Sequence, residues 1–291
     1  MHIQWMRFYW LPFTLVGLAL PPYTVALALE YENSQSLEET TKAANHGVAD
    51  AQNNLAMIYR DGLGVPQDYK KALKWYRLAA DQGLAEAQYN LGIMYHDGKG
   101  IPRDDKEAVK WIRLAAENGG LADAQYLLGV MYHDGKGLPA NDQEAIKWLR
   151  LAAEQGLASA QYNLGVMYHD GKGVPQDDKE AIYWLGLSAN QEFVMAQTTL
   201  GSMYALGQGV QKDLILAAMW LNLAVVQGDP HAIKKRELLL KEMTAEQINK
   251  AKTLADNWMP PAWDKMKSDA VEPEVVQPDT KKQEVSTPKA K

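Results

Sequence analysis

The chain has 291 residues, a net charge of −6 and no cysteine. A disulfide framework, a thiolate metal site and a lipidated amino-terminal cysteine are therefore excluded. The acidic balance gives no electrostatic basis for gripping a nucleic-acid backbone, and no nucleic-acid partner is expected. The one basic cluster, Lys234-Lys235-Arg236, reads as an exposed helix face.

In chain order, the first element is a secretory signal over residues 1–28. Arg7 is its only full charge, Phe8 to Leu20 is apolar, and Ala26-Leu27-Ala28 offers small residues for cleavage. An uncleaved anchor is the alternative, because residues 8–29 run 22 positions without a charge. Pro21-Pro22 interrupts that run and favours cleavage. Either reading puts the mature chain outside the cytoplasm, as a periplasmic or secreted protein or one anchored in the inner membrane and facing the periplasm. Contact with a membrane is expected only through the uncleaved segment.

Leu37–Gly47 then matches the second half of a repeat and reads as a lone helix over the end of an array. The array itself is marked by Gln52, Gln88, Gln125, Gln161 and Gln197, spaced 36, 37, 36 and 36 residues apart. Trp75, Trp111, Trp148, Trp184 and Trp220 keep the same spacings, which is a solenoid period.

Each unit predicts two helices. In the second, Ala87, Leu91, Met94 and Tyr95 form one apolar stripe, and Asp97-Gly98-Lys99-Gly100 ends this helix A. Ile101-Pro102 forces an extended turn. Asp104 caps helix B, and Glu107 is placed to complete a capping box, as Glu144 is after Asn141 and Glu180 after Asp177. Ala108, Trp111, Ile112 and Ala115 form the apolar face of helix B. Gly92, Gly129, Gly165 and Gly201 lie inside A helices, where glycine costs about 1 kcal/mol relative to alanine. Their retention predicts close approach of another backbone.

The fifth helix B, Leu214–Val226, is apolar nearly all round and needs cover on more than one side. Asp229-Pro230 and Thr244–Gln247 start two helices able to supply it. Beyond Pro260-Pro261 the composition is that of disorder. The expected division is a signal peptide (1–28), a leader with a capping half-repeat (29–46), five repeats (47–83, 84–120, 121–156, 157–192, 193–228), capping helices (229–259) and a disordered tail (260–291).

Leu91-Gly92, Tyr95, Gly98, Gly100, Asp104, Ala108, Trp111, Ala115-Ala116 and Gly119 together resemble the Sel-1-like repeat family, relatives of the tetratricopeptide repeats. The resemblance spans roughly residues 37–257. It implies an all-α, right-handed α-solenoid of antiparallel helix pairs that holds other proteins, including in bacterial envelope, secretion and host-contact settings. No catalytic residue carries over. A cysteine-rich branch of the family is associated with penicillin binding and β-lactamase-like activity, and this chain lacks the cysteines that brace it.

The only Ser-x-x-Lys, Ser286–Lys289, lies in the expected tail, and no zinc-protease motif, P-loop or dinucleotide fingerprint occurs. No catalytic residue, cofactor or metal is assigned. His96, His133 and His169 recur in Tyr-His-Asp-Gly-Lys-Gly; a metal or pH-sensing role competes with that of a half-exposed histidine at a helix end. One imidazole per repeat is a poor zinc set, since packed helices lie about 8–10 Å apart. Lys99, Lys136 and Lys172 in the same turns are either solvated loop charges or ligand contacts. Tyr89, Tyr126 and Tyr162 share a helix face with those histidines, with Ile93, Val130 and Val166 between. If stacking follows the family, this row lines the concave surface, where tyrosine can anchor a partner; packing between repeats is the competing reading. The expectation is a monomeric, non-enzymatic scaffold that binds a protein partner. The alternative is a penicillin-interacting or peptidoglycan-active envelope protein, or an inhibitor of such an enzyme.

Overall fold

A computed structural model describes residues 36–258, in two compact units that divide between Asn141 and Asp142. The expected signal peptide and the expected tail lie outside the described residues. The first unit holds α1 (residues 36–45), α2 (Ala49–Asp61), α3 (Tyr69–Asp81), α4 (Ala85–Asp97), α5 (Asp105–Asn118) and α6 (Ala122–Asp134). The second holds α7 (Asp142–Glu154), α8 (Ala158–Asp170), α9 (Asp178–Asn190), α10 (Val194–Leu206), α11 (Leu214–Val226), α12 (Pro230–Leu239), a 3₁₀ turn (Leu240–Glu242) and α13 (Ala245–Asp256). Within each unit, consecutive helices stack as antiparallel pairs, the α-solenoid arrangement. Among the described residues, no helix is long and apolar enough to cross a membrane.

The core comes from the two stripes of each pair. Leu91 and Met94 of α4 and Ala108, Ile112 and Ala115 of α5 are buried. Trp111 is only half-buried at the edge of this core, and the Arg77 guanidinium lies 5.0 Å from its ring centre. Trp184 and Trp220 are buried. At the ends, Ala44 of α1 packs with Ala51 and Leu55, and α12 and α13 both pack against α11. Trp258 meets Trp220 edge-on at 4.7 Å. The apolar α11 thus gets its cover from the two helices that follow it.

Every turn within a helix pair is tied down by its own backbone. Gly98 caps α4 in the left-handed conformation, and the Gly98 and Lys99 N–H groups both donate to the Met94 carbonyl. The Asp104 N–H donates to the Tyr95 carbonyl at 2.9 Å, while its carboxylate accepts from the Lys106 and Glu107 N–H groups at 3.0 and 3.1 Å. The expected capping box closes only by half here, because Glu107 turns to the Lys110 ammonium one helical turn on. Thr244 and Gln247 form both halves of the box. The amide of Gln247 is neutral, so no lysine draws it away from the cap.

Gly92 meets the expected close approach, from helix B of its own pair. A Cβ there would lie 2.6 Å from Ile112 Cγ1 and 3.2 Å from the Ala108 carbonyl oxygen. The nearest neighbour is thus a branched side chain of helix B, and Gly165 and Gly201 meet Leu185 and Leu221 in the same way. Backbone comes closer still at the second turn glycine. At Gly137 and Gly173 a Cβ would fall 2.1 and 2.4 Å from the carbonyl oxygens of Asp105 and Asp142, where the preceding helix B begins.

The buried glutamines link one repeat to the next. Gln52, Gln88, Gln125, Gln161 and Gln197 each donate from Nε2 to a carbonyl at the end of the preceding helix, on Ala44, Ala80, Ala116, Ala153 and Ala189. In three repeats a second glutamine, Gln82, Gln191 or Gln227, donates to the buried Oε1 at 2.7 to 3.0 Å. Asn118 occupies that position in the second repeat, one methylene too short, and Gln88 Oε1 is buried without a partner. Asn118→Gln should satisfy it and raise stability by about 1 kcal/mol, read as a higher midpoint in urea at unchanged m-value; an unchanged midpoint would refute the assignment.

Two turn glycines test the close approach. Gly64 and Gly173 have φ of +71° and +72°, but a Cβ on Gly64 meets nothing within 4 Å. Gly64→Ala should lose only the left-handed strain, about 1–2 kcal/mol. Gly173→Ala should lose about 2 kcal/mol more, because the start of α7 must shift. Equal losses in denaturant melts would rule out the contact.

Candidate functional site

Tyr89, Ile93 and His96 lie along α4, Tyr126, Val130 and His133 along α6, and Tyr162, Val166 and His169 along α8; all are half-buried except His133, which is exposed. Burial pushes the Tyr89 phenol above its ordinary value, with Asp123 and Tyr126 adding to the rise, so α6 faces it. In the second unit the Tyr162 ring lies 5.3 Å from that of Phe193, tilted by 43°. Tyr162 therefore packs one side against Phe193, and all three rings stay only half-buried.

The histidines bind across the turn. His96 Nδ1 lies 2.7 Å from Asp105 Oδ1, and His169 Nδ1 lies 2.6 Å from Asp178 Oδ1. The last turn of helix A is thereby fastened to the first residue of helix B. The Arg103 guanidinium also pairs with Asp105 at 2.7 Å, and its hydrogen bond, reinforced by that of His96, holds the carboxyl below the usual range. These carboxylates are the nearest ligands with which an imidazole could share a metal, and they are already engaged. Among the described residues no three His, Cys, Asp or Glu side chains gather into a metal-sized cluster. Lys99, Lys136 and Lys172 pair with Asp97, Asp134 and Asp170 at 2.8, 2.8 and 3.0 Å. Such exposed, solvent-screened pairs contribute little, so the lysines keep their reach for a partner.

Two sets of residues escaped sequence reasoning. Asp105 and Asp178 each open a helix B. Their signal lay in comparing the repeats: a histidine and an aspartate nine positions on occur together in repeats two to four, while the outer repeats have Arg60 with Tyr69 and Ala205 with Leu214. Arg77, Arg113 and Arg150 each donate to a tyrosine hydroxyl of the next helix A, on Tyr95, Tyr132 and Tyr168. They bind repeat to repeat from the edge of the core.

Antiparallel helix pairs at a period of 36 residues, buried small residues at the crossings and a left-handed cap after every helix A define a tetratricopeptide-like repeat protein. The model of the Sel1 repeat matches residues 49–84, 85–120, 122–157, 158–193 and 194–229, and the chain belongs to the Sel1 repeat family. Proteins of this family generally mediate protein–protein interaction. Among solved structures, a Sel1 repeat protein from Oxalobacter formigenes is 32% identical, with a TM-score of 0.63, over 76% of this chain and 98% of that one. A protective antigen of uropathogenic Escherichia coli with a Sel1-like repeat fold is 28% identical, with a TM-score of 0.53. That match covers 85% of this chain, which spans 62% of the antigen. Comparison with curated proteins finds no match.

The turn carries a pH dependence of known sign. The folded-state value of Asp105 is lowered, so its stabilisation is fully present above the unfolded value near 3.8 and is lost as pH falls through the depressed folded value. Asp105→Asn should flatten the melting profile below about pH 4 relative to the parent; parallel profiles would refute the role.

Proposed function

We propose that this protein is a non-catalytic scaffold that works outside the bacterial cytoplasm and holds a partner protein along the concave face of its repeats. The observation that carries this reading is the recurrence of Tyr89, Tyr126 and Tyr162 at one half-buried position of the middle repeats. Core positions hardly vary among the five repeats, because packing constrains them. The tyrosines are confined to the three middle repeats, with Asn53 and Thr198 in the outer ones, and each remains half exposed. An aromatic side chain anchored on one side and open on the other suits recognition, since little conformational entropy is left to lose. The lysines of the adjacent turns, Lys99, Lys136 and Lys172, would supply a charged rim.

The signal-like residues 1–28 support a periplasmic or secreted location. Changing all three tyrosines to alanine tests the surface. Capture of the partner from envelope extract by the full chain should fall at least about tenfold, the size of one lost aromatic anchor. The variant's melting curve should still show one cooperative transition. Undiminished capture would end this assignment of the face.

A further inference from the structure

The fifth repeat breaks its turn in a way that packing does not require. Repeats one to four carry Asp61, Asp97, Asp134 and Asp170 as the last residue of helix A. The fifth carries Leu206 there, 69% exposed. The neighbouring polar positions change with it, to Ala205 and Leu214. Leu206 and Leu238, the latter 56% exposed, flank a cleft of about 330 Å³ floored by Gly201, Leu221 and Leu239. Lysines stand on its rim. Lys235 gives its ammonium to the neutral Ser202 hydroxyl at 2.6 Å, and Lys212 reaches Glu242 only at 3.8 Å. The cleft is thus apolar within and has positive charge to spare at its edge.

We propose that it holds this chain's own segment Val271–Val276, Val-Glu-Pro-Glu-Val-Val. Extended, such a segment alternates Val271, Pro273 and Val275 on one side with Glu272 and Glu274 on the other. The apolar side matches the cleft and the acidic side its lysines. The surrounding stretch Asp269–Asp279 carries four acids and no base, the charge opposite to the rim. Reach is sufficient: the 13 residues from Trp258 to Val271 extend about 43 Å. The helices α12 and α13 laid end to end span only about 33 Å. This inference rests on the cleft and is independent of the tyrosine row.

The absence of cysteine allows a direct test on the full chain. Leu238→Cys with Val275→Cys, oxidised at high dilution, should form an intramolecular disulfide, read as a reducible gel shift of the monomer. It should form faster than in Val226→Cys with Val275→Cys, although Val226 is the more exposed partner at 87%. Adding Leu206→Asp, the residue type of the other repeats, should slow trapping about tenfold and leave the melt unchanged. Equal rates for the two cysteine pairs would overturn the proposal. So would a disulfide that forms only between two chains, as docking onto a second copy would give, or trapping that Leu206→Asp does not slow.

Discussion

A buried glutamine on every helix A sets how each repeat sits on the one before it. The last carbonyls of an α-helix have no partner within the helix. Here the amide of the next repeat's glutamine supplies one, at Ala44, Ala80, Ala116, Ala153 and Ala189. These side chains are 2 to 6% exposed, and a buried amide without its hydrogen bonds costs roughly 1–3 kcal/mol. A register slip between repeats would strand the amide and the carbonyl together. Apolar stripes alone would tolerate small slides, because burial is not directional. Gln82, Gln191 and Gln227 then close the other half of the amide from within the same repeat. The turn glycines complete the fit by letting the loop backbone rest on the start of the preceding helix B.

Much of this architecture was legible in the sequence because its causes are local or periodic. Stripes at helical spacing, glycine after helix A and aspartate before helix B each act within a turn or two of the chain. The half-formed box at Asp104 was not legible, since a glutamate chooses between a cap N–H and a lysine according to which is better placed. Contacts from one repeat to the next were also hidden. Arg77 reaches Tyr95 across 18 residues and Gln82 reaches Gln52 across 30, and neither spacing has meaning until the stacking is known. Gln52 and its equivalents mark the period, but the carbonyls they bind on the preceding helix are visible only once the repeats are stacked. The partner of His96, Asp105, lies nine residues on, across the turn. The histidine and its aspartate disappear together from the first and last repeats, so comparing repeats held the pairing that a single repeat did not.

The same comparison separates support from surface at the candidate site. The helix A tyrosines Tyr95 and Tyr168 take an arginine hydrogen bond from the previous repeat and are buried, and Tyr204 is buried in the fifth, so their recurrence is structural. Tyr89, Tyr126 and Tyr162 lie six residues earlier on the same helices, half-buried, and are absent from both ends. Residues bound by packing cannot change without cost, whereas those on the open face can change repeat by repeat, and that is where a partner would be specified. Packing and recognition are not exclusive for these rings, since a contact such as that of Tyr162 with Phe193 holds the ring that a partner would meet.

Leu206 stands in the last repeat where the other four carry an aspartate. An aspartate at that place serves the turn in four repeats, and at Asp97, Asp134 and Asp170 it pairs with the turn lysine. The fifth repeat has Gln208 in place of that lysine, so the aspartate has lost its partner as well. Loss of the pair would permit many polar residues, and the structural role of the turn is met by Gly207 and by the Asp213 cap. Neither explains a leucine left 69% in water beside a second exposed leucine. Scattered single apolar residues on a surface need no cause. Two that wall one cleft, at the point where a recurrent acid has been given up, mark a surface that is covered by something in the working protein.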